Sequence, residues 1–203
     1  MSLATYSDLQ NAVTNFLHRA DLAAVIPDFI TLCESRINND LRHRAMETQT
    51  ASTIASGVIA VPTNYIELKD AYVSSTSPYV NLDRKTAEWV YENYPNRTAG
   101  GDTPKFIARE GSNFIFGPFP TDGQVVTLTF YNRFAPLSTS VNSVFTAYPG
   151  LWLYGALLEA SPYLKNDSRI QVWEAKFSQL FTLVQKESDD EFLSGSVPEI
   201  KSG

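Results

Sequence analysis

The sequence predicts an α+β protein: a four-helix bundle, with two N-terminal and two C-terminal helices, interrupted by a β-rich insertion. Three observations predict it. Apolar residues recur at steps of three and four before residue 45 and again between about 149 and 190. From about 46 to 134 the pattern changes to alternation, with β-branched residues and Gly/Pro turns. Over 203 residues the composition is 43% apolar and 19% charged, enough to bury a core without staples, and no apolar run reaches membrane-spanning length. The expected organisation is a bundle from 1–45 and 135–190, an antiparallel insertion with one short helix over 46–134, and a tail over 191–203.

The first helix is announced by Thr5 and Ser7 as N-cap candidates, followed by Leu9, Val13, Phe16 and Leu17, and it stops near His18-Arg19. Pro27 suits the first position of a second helix, where its missing amide costs nothing, and Ile30, Cys33, Ile37 and Leu41 form the buried stripe. Arg36, Arg42, His43 and Arg44 gather near its end, where cations complement the helix dipole. In the middle, Thr48 to Ile54 and Val58 to Pro62 read as two arms of a hairpin around Ser56-Gly57. Tyr65 to Leu68 reads as a helical turn or an irregular crossing. Further strands are expected over 69–74, 79–82 and 125–134, a hairpin around Gly111-Ser112, and a short helix from Lys85 to Tyr94. The segment from Asn96 to Asp102, with Gly100-Gly101, is expected to be a surface loop.

Residues 149–190 carry the strongest signal. Leu151 to Leu158 is apolar on nearly every side of a helical turn, so this helix should be surrounded by other protein. Pro162 should end or kink it. Beyond Ser168, the stripe Ile170, Trp173, Phe177, Leu180, Phe181 and Val184 defines a long partner helix packed antiparallel.

Chemistry is harder to find. Cys33 is the single cysteine, so neither an internal disulfide nor a multi-thiol metal site can form. His18 and His43 lack metal-ligand spacing, no phosphate-binding glycine loop occurs, and the Glu88/Glu92 and Asp189-Asp190-Glu191 groups read as solvated helix surface. The formal charge of −6 argues against wrapping nucleic acid, though an acidic wall would let a duplex slide past.

The run from Leu153 to Asp167, with Arg169-Ile170 and Trp173-Glu174, resembles the C-terminal helical pair of tailed-bacteriophage head-to-tail adaptor proteins. The stretch Ala4 to Leu9, with Ile26 to Ile30, Glu34, Arg36 to Asn38 and Asp40 to Arg42, is similar to their N-terminal half. The resemblance implies a structural protein of the virion, made in the host bacterial cytoplasm: a dodecameric ring that docks on the portal, joins it to a tail or nozzle protein and continues the DNA channel. Duplex DNA would pass without sequence-specific binding. The alternatives are a tail-completion or tail-tube component, or a ligand-binding or hydrolytic module with a cleft between bundle and sheet. Neither catalytic, cofactor-binding nor metal-ligating residues are expected, and no membrane contact. Phe192, Leu193, Val197 and Ile200, spaced along the tail, are the expected portal contacts.

Overall fold

The computed structural model describes residues 3–98, 101–164 and 168–194. The chain divides into two compact units, one formed by residues 1–46 and 134–203, the other by 47–133.

The first unit is helical. Helix α1 (Tyr6–Leu17) begins with a reciprocal cap in which Asp8 N–H donates to Thr5 Oγ1 at 3.1 Å and Thr5 N–H donates to Asp8 Oδ2 at 3.0 Å. It ends at His18, in the left-handed region. Helix α2 (Ile26–Asp40) carries Pro27 in its first turn, as its fixed φ favours. After the connector, α4 (Ser143–Ala147) and α5 (Pro149–Glu159) follow closely, a 3-10 turn over Ser161–Tyr163 takes up Pro162, and α6 runs from Arg169 to Ser194.

The arrangement is not the four-helix bundle with a β insertion that the periodicity predicts. In such a bundle every helix keeps one face in water. Here α5 is central: α1, α2, α4 and α6 all pack against it, and Leu151, Trp152, Leu153, Gly155, Ala156 and Leu157 are buried around its circumference. The short α4 adds a fifth helix, burying Val144 and Phe145, with the Phe145 ring edge-on to Trp152 at 5.5 Å. Phe177 and the Cys33 sulfur crowd Gly155, where a Cβ would lie 2.3 Å from Sγ and 3.1 Å from Phe177 Cε2. Gly155 is thus a point where side chains of α2 and α6 press against the backbone of α5.

The second unit also departs from expectation, with two four-stranded sheets in place of one small antiparallel sheet. One has the order β1 (Glu47–Thr53), β8 (Val125–Asn132), β3 (Tyr65–Val73), β4 (Val80–Asn81), antiparallel throughout. The other has the order β2 (Val58–Ala60), β7 (Asn113–Gly117), β6 (Phe106–Glu110), β5 (Asp83–Arg84), and its β5 and β6 run parallel. Ile54, Leu68, Val126, Leu128 and Phe130 from the first side share one core with Ile59, Ile107, Phe114 and Phe116 from the second. Helix α3 (Ala87–Asn93) covers the other face of the second sheet through Val90, packed with Ala108 and Ile115.

The expected hairpin of residues 48–54 with 58–62 is reduced to one bridge between Ala55 and Val58, after which β2 joins β7. Ser56 and Gly57 both have positive φ, the geometry of a tight two-residue reversal, and this sends β2 into the other sheet. Residues 65–68, read as a turn or crossing, open β3 instead. The irregularity is real, because its register against β8 shifts between Tyr65 and Glu67 and again between Leu68 and Asp70. At the second shift Arg84 Nη1 donates to the Leu68 carbonyl at 2.5 Å.

Candidate interaction site

Helix α2 reads the connector after β8 with two polar side chains one turn apart. Asn38 Oδ1 accepts the Phe134 N–H at 2.8 Å and Glu34 Oε1 accepts the Leu137 N–H at 2.7 Å. Burial pushes the Glu34 carboxyl above its ordinary range, opposed by the amide it accepts. Arg36 pairs with Glu159 at 2.5 Å and lies 5.8 Å from the Phe177 ring centroid, tying α2 to α5 and α6. Arg42 Nη1 donates to the carbonyls of Asn39 and Leu41 at 3.0 and 2.7 Å, so one of the clustered cations caps the end of α2.

A second set of polar contacts fixes the C-terminal half of α6. Gln185 engages both backbone groups of one residue: its Oε1 accepts Arg42 N–H at 3.2 Å, and its Nε2 donates to the Arg42 carbonyl at 3.0 Å. One turn on, the buried Ser188 Oγ accepts Arg44 N–H at 3.0 Å. A hydrogen bond to Glu187 raises the Tyr148 phenol's pKa. Beside these contacts is a cleft of about 360 Å³ lined by His43, Arg44, Tyr148, Glu187 and Glu191 among others.

Two of the four expected contact residues lie at this end of α6. Phe192 and Leu193 fall in the last turn of α6, which continues to Ser194; Val197 and Ile200 lie outside the described residues. The helix end is electrostatically unusual. Glu187, Asp189, Asp190 and Glu191 crowd the negative pole of the dipole, and the last turn holds no basic residue. Sequence reasoning missed Gln185 and Ser188, because a Gln or Ser on a helix face looks the same whether it meets water or a backbone.

Other reactive groups are occupied structurally. Cys33 is fully buried, its Sγ lies 3.7 Å from the Trp152 carbonyl, and burial pushes its pKa strongly upward. Among the described residues, no three His, Cys, Asp or Glu side chains gather as a metal site, and no helix is long and apolar enough to cross a membrane. The helical unit does leave apolar side chains in solvent. Val172 and Leu183, 57% and 47% exposed, stand three turns apart on one line of α6, and Leu32 on α2 is 53% exposed.

Polar side chains thus hold the helices of this unit in place, and scattered apolar residues remain outside. The chain matches the SU10 adaptor protein family over residues 4–198 and belongs to that family of phage adaptors. No curated protein matches it.

Proposed function

We propose that this adaptor forms a ring, dodecameric as the resemblance implies, that joins the portal to the tail or nozzle and continues the DNA channel of the virion. The observation that carries the reading is the extent of the family match, whose residues 4–198 include nearly all of both compact units and the whole of α6. In this reading Val172 and Leu183, exposed on one line of α6, contribute to the contact between neighbouring copies. The C-terminal end of α6 and the residues after it, with Phe192, Leu193, Val197 and Ile200, meet the portal. The acidic run Glu187, Asp189, Asp190 and Glu191 concentrates negative charge at this helix end, which favours a basic portal surface there. The net charge of −6 keeps a passing duplex from adhering. The protein acts without bond-making chemistry and is synthesised in the host cytoplasm before joining the virion.

The test combines mass measurement and electron microscopy of the purified protein with and without its portal. A chain ending at Ser194 and a Phe192→Ala/Leu193→Ala variant are compared with the full chain. The expected result is a ring on the portal for the full chain, weakened at least tenfold in both variants while the helical content is kept. A ring that ignores the portal and caps tails overturns portal joining in favour of a tail-completion role. Unchanged portal binding by both variants removes the C-terminal assignment.

A further inference from the structure

The four sheet edges of the β-rich unit are treated unequally. Strands β4 and β5 have two residues each, Asp83 and Arg84 of β5 are both exposed and charged, and β2 has three residues with Pro62 shortly beyond it. Shortness, charge and proline are the devices that keep a sheet edge from pairing with another chain. Strand β1 has none of them. It runs for seven residues, stays in unbroken register with β8 from Glu47↔Tyr131 to Thr53↔Val125, and its only charged residue is Glu47 at the very start. The edge arises because the Ser56-Gly57 reversal sends β2 away to β7, leaving no second strand beside β1 among the described residues.

The direction of its backbone groups follows from the next residue. Ile54 N–H donates to the Gln124 carbonyl at 2.8 Å, on the β8 side, whereas Ala55 N–H donates to the Val58 carbonyl at 3.1 Å, on the opposite side. Antiparallel alternation then turns the amides and carbonyls of Thr48, Thr50 and Ser52 to β8, and those of Gln49, Ala51 and Thr53 outward. The side chains of Gln49, Ala51 and Thr53 are also exposed.

We propose that β1 is a docking edge for β1 of a second copy, the two strands pairing antiparallel about a two-fold axis at Thr50. Self-complementarity singles out this occupant. Outward groups must face outward groups, and the register that overlaps all seven residues sets Gln49 opposite Ala51 and Glu47 opposite Thr53 on one face. On the other face it sets Thr48 opposite Ser52 and Thr50 opposite its own copy. Thr–Thr and Thr–Ser are favourable cross-strand pairs, and no like charges face each other. The product is a continuous sheet with β1 no longer at an edge. Because the contact is isologous it closes on itself, and it is separate from any cyclic contact that builds a ring.

The test needs only the purified full chain. Sedimentation from about 10 μM to about 1 mM, the range in which so small an interface becomes populated, should show the mass rising toward twice that of one chain. Over the same range, hydrogen exchange should slow at the amides of Gln49, Ala51 and Thr53. Those of Thr48, Thr50 and Ser52, already held by β8, should not change. A Gln49→Lys/Ala51→Lys variant places lysines opposite each other and should stay monomeric, as should Gln49→Glu/Ala51→Glu. An equimolar mixture of the two should recover the dimer. Circular dichroism matching the parent keeps these variants interpretable, and Ala51→Pro, which removes an outward amide and no ladder bond, is a second block. A monomer across the range overturns the proposal. So does a dimer indifferent to all three variants, or a larger ring formed without protection of the outward amides.

Discussion

Replacing Gly155 with alanine tests the packing that the helical unit is built on. In an ordinary helix interior the change stabilises by about 1 kcal/mol, because alanine loses less backbone freedom on folding. Here the new methyl would sit 2.3 Å from Cys33 Sγ and 3.1 Å from Phe177 Cε2, the first more than an ångström inside ordinary van der Waals contact. Neither neighbour can yield cheaply. Cys33 has a single χ and is fully buried on α2, and Phe177 is half-buried on α6 against Phe181, with ring centroids 6.0 Å apart. Overpacking of this kind costs about 1–3 kcal/mol, and a clash on two helices at once belongs near the top of that range. Gly155→Ala should therefore be destabilised by about 2 kcal/mol net. Cys33→Ala removes the closest atom, so the Cys33→Ala/Gly155→Ala double variant should be more stable than the sum of the singles by about 1–2 kcal/mol. Urea denaturation followed by tryptophan fluorescence is a suitable assay, since Trp152 and Trp173 are both buried in this unit. A Gly155→Ala protein as stable as its parent, or a double variant additive within about 0.5 kcal/mol, would refute the idea that α2, α5 and α6 meet at this glycine.

Three further perturbations have definite expected outcomes. Gln185→Ala loses both hydrogen bonds to Arg42, and Ser188→Ala leaves the Arg44 amide without its acceptor; each should cost about 1 kcal/mol. Hydrogen exchange should rise over residues 186–194 and leave α5 unchanged. Arg84→Ala strips the donor from the Leu68 carbonyl at the β3 irregularity and should cost the β-rich unit about 1–2 kcal/mol, measured by denaturation followed at Trp89. Because burial raises the Glu34 pKa, the folded state holds this proton more tightly than the unfolded chain. Its stabilising contribution is complete below the unfolded carboxylate pKa and is lost as pH rises through the raised folded value. Glu34→Gln keeps an acceptor for Leu137 N–H without the charge, so its stability relative to the parent should improve between about pH 4 and about pH 7. A relative stability that falls over that interval would contradict the burial argument.

How much of this was legible in the sequence depended on whether a signal was local. Thr5 as an N-cap, the position of Pro27 and the stripe from Trp173 to Val184 each rest on residues a few positions apart, and a helix formed at each, although α6 runs on to Ser194, past the point where its stripe fades. The saturation of Leu151 to Leu158 correctly announced a helix enclosed by protein. Which elements enclose it is a non-local question, and the bundle expectation failed there: a helix buried on all sides needs more than three neighbours, and the fifth helix, α4, is five residues long, too short for its packing partner to be read from its own pattern. The sheets failed likewise. Thr48 to Ile54 and Val58 to Pro62 look like two arms of one hairpin in sequence, but the Ser56-Gly57 reversal separates them into different layers. Nothing local could show a two-residue β5 pairing in parallel with β6.

The residues that carry the family likeness can now be given physical work, and that work is internal. Glu34 and Asn38 accept backbone amides of the connector, Arg36 bridges three helices, Arg42 caps α2 and is itself held by Gln185. A family signature made of such residues preserves a shape, in which α6 is fixed through most of its length before its acidic terminus begins. Fixing the helix matters for a contact surface, because a preorganised segment loses less freedom on binding than one that must be ordered by its partner. Under the proposed portal contact at this end of α6, the polar contacts at Gln185 and Ser188 would serve assembly as well as stability. On that proposal, breaking them should weaken portal binding even though neither side chain would touch the portal, whereas Gly155→Ala, acting midway along the helical pair, should lower stability first and binding only through it.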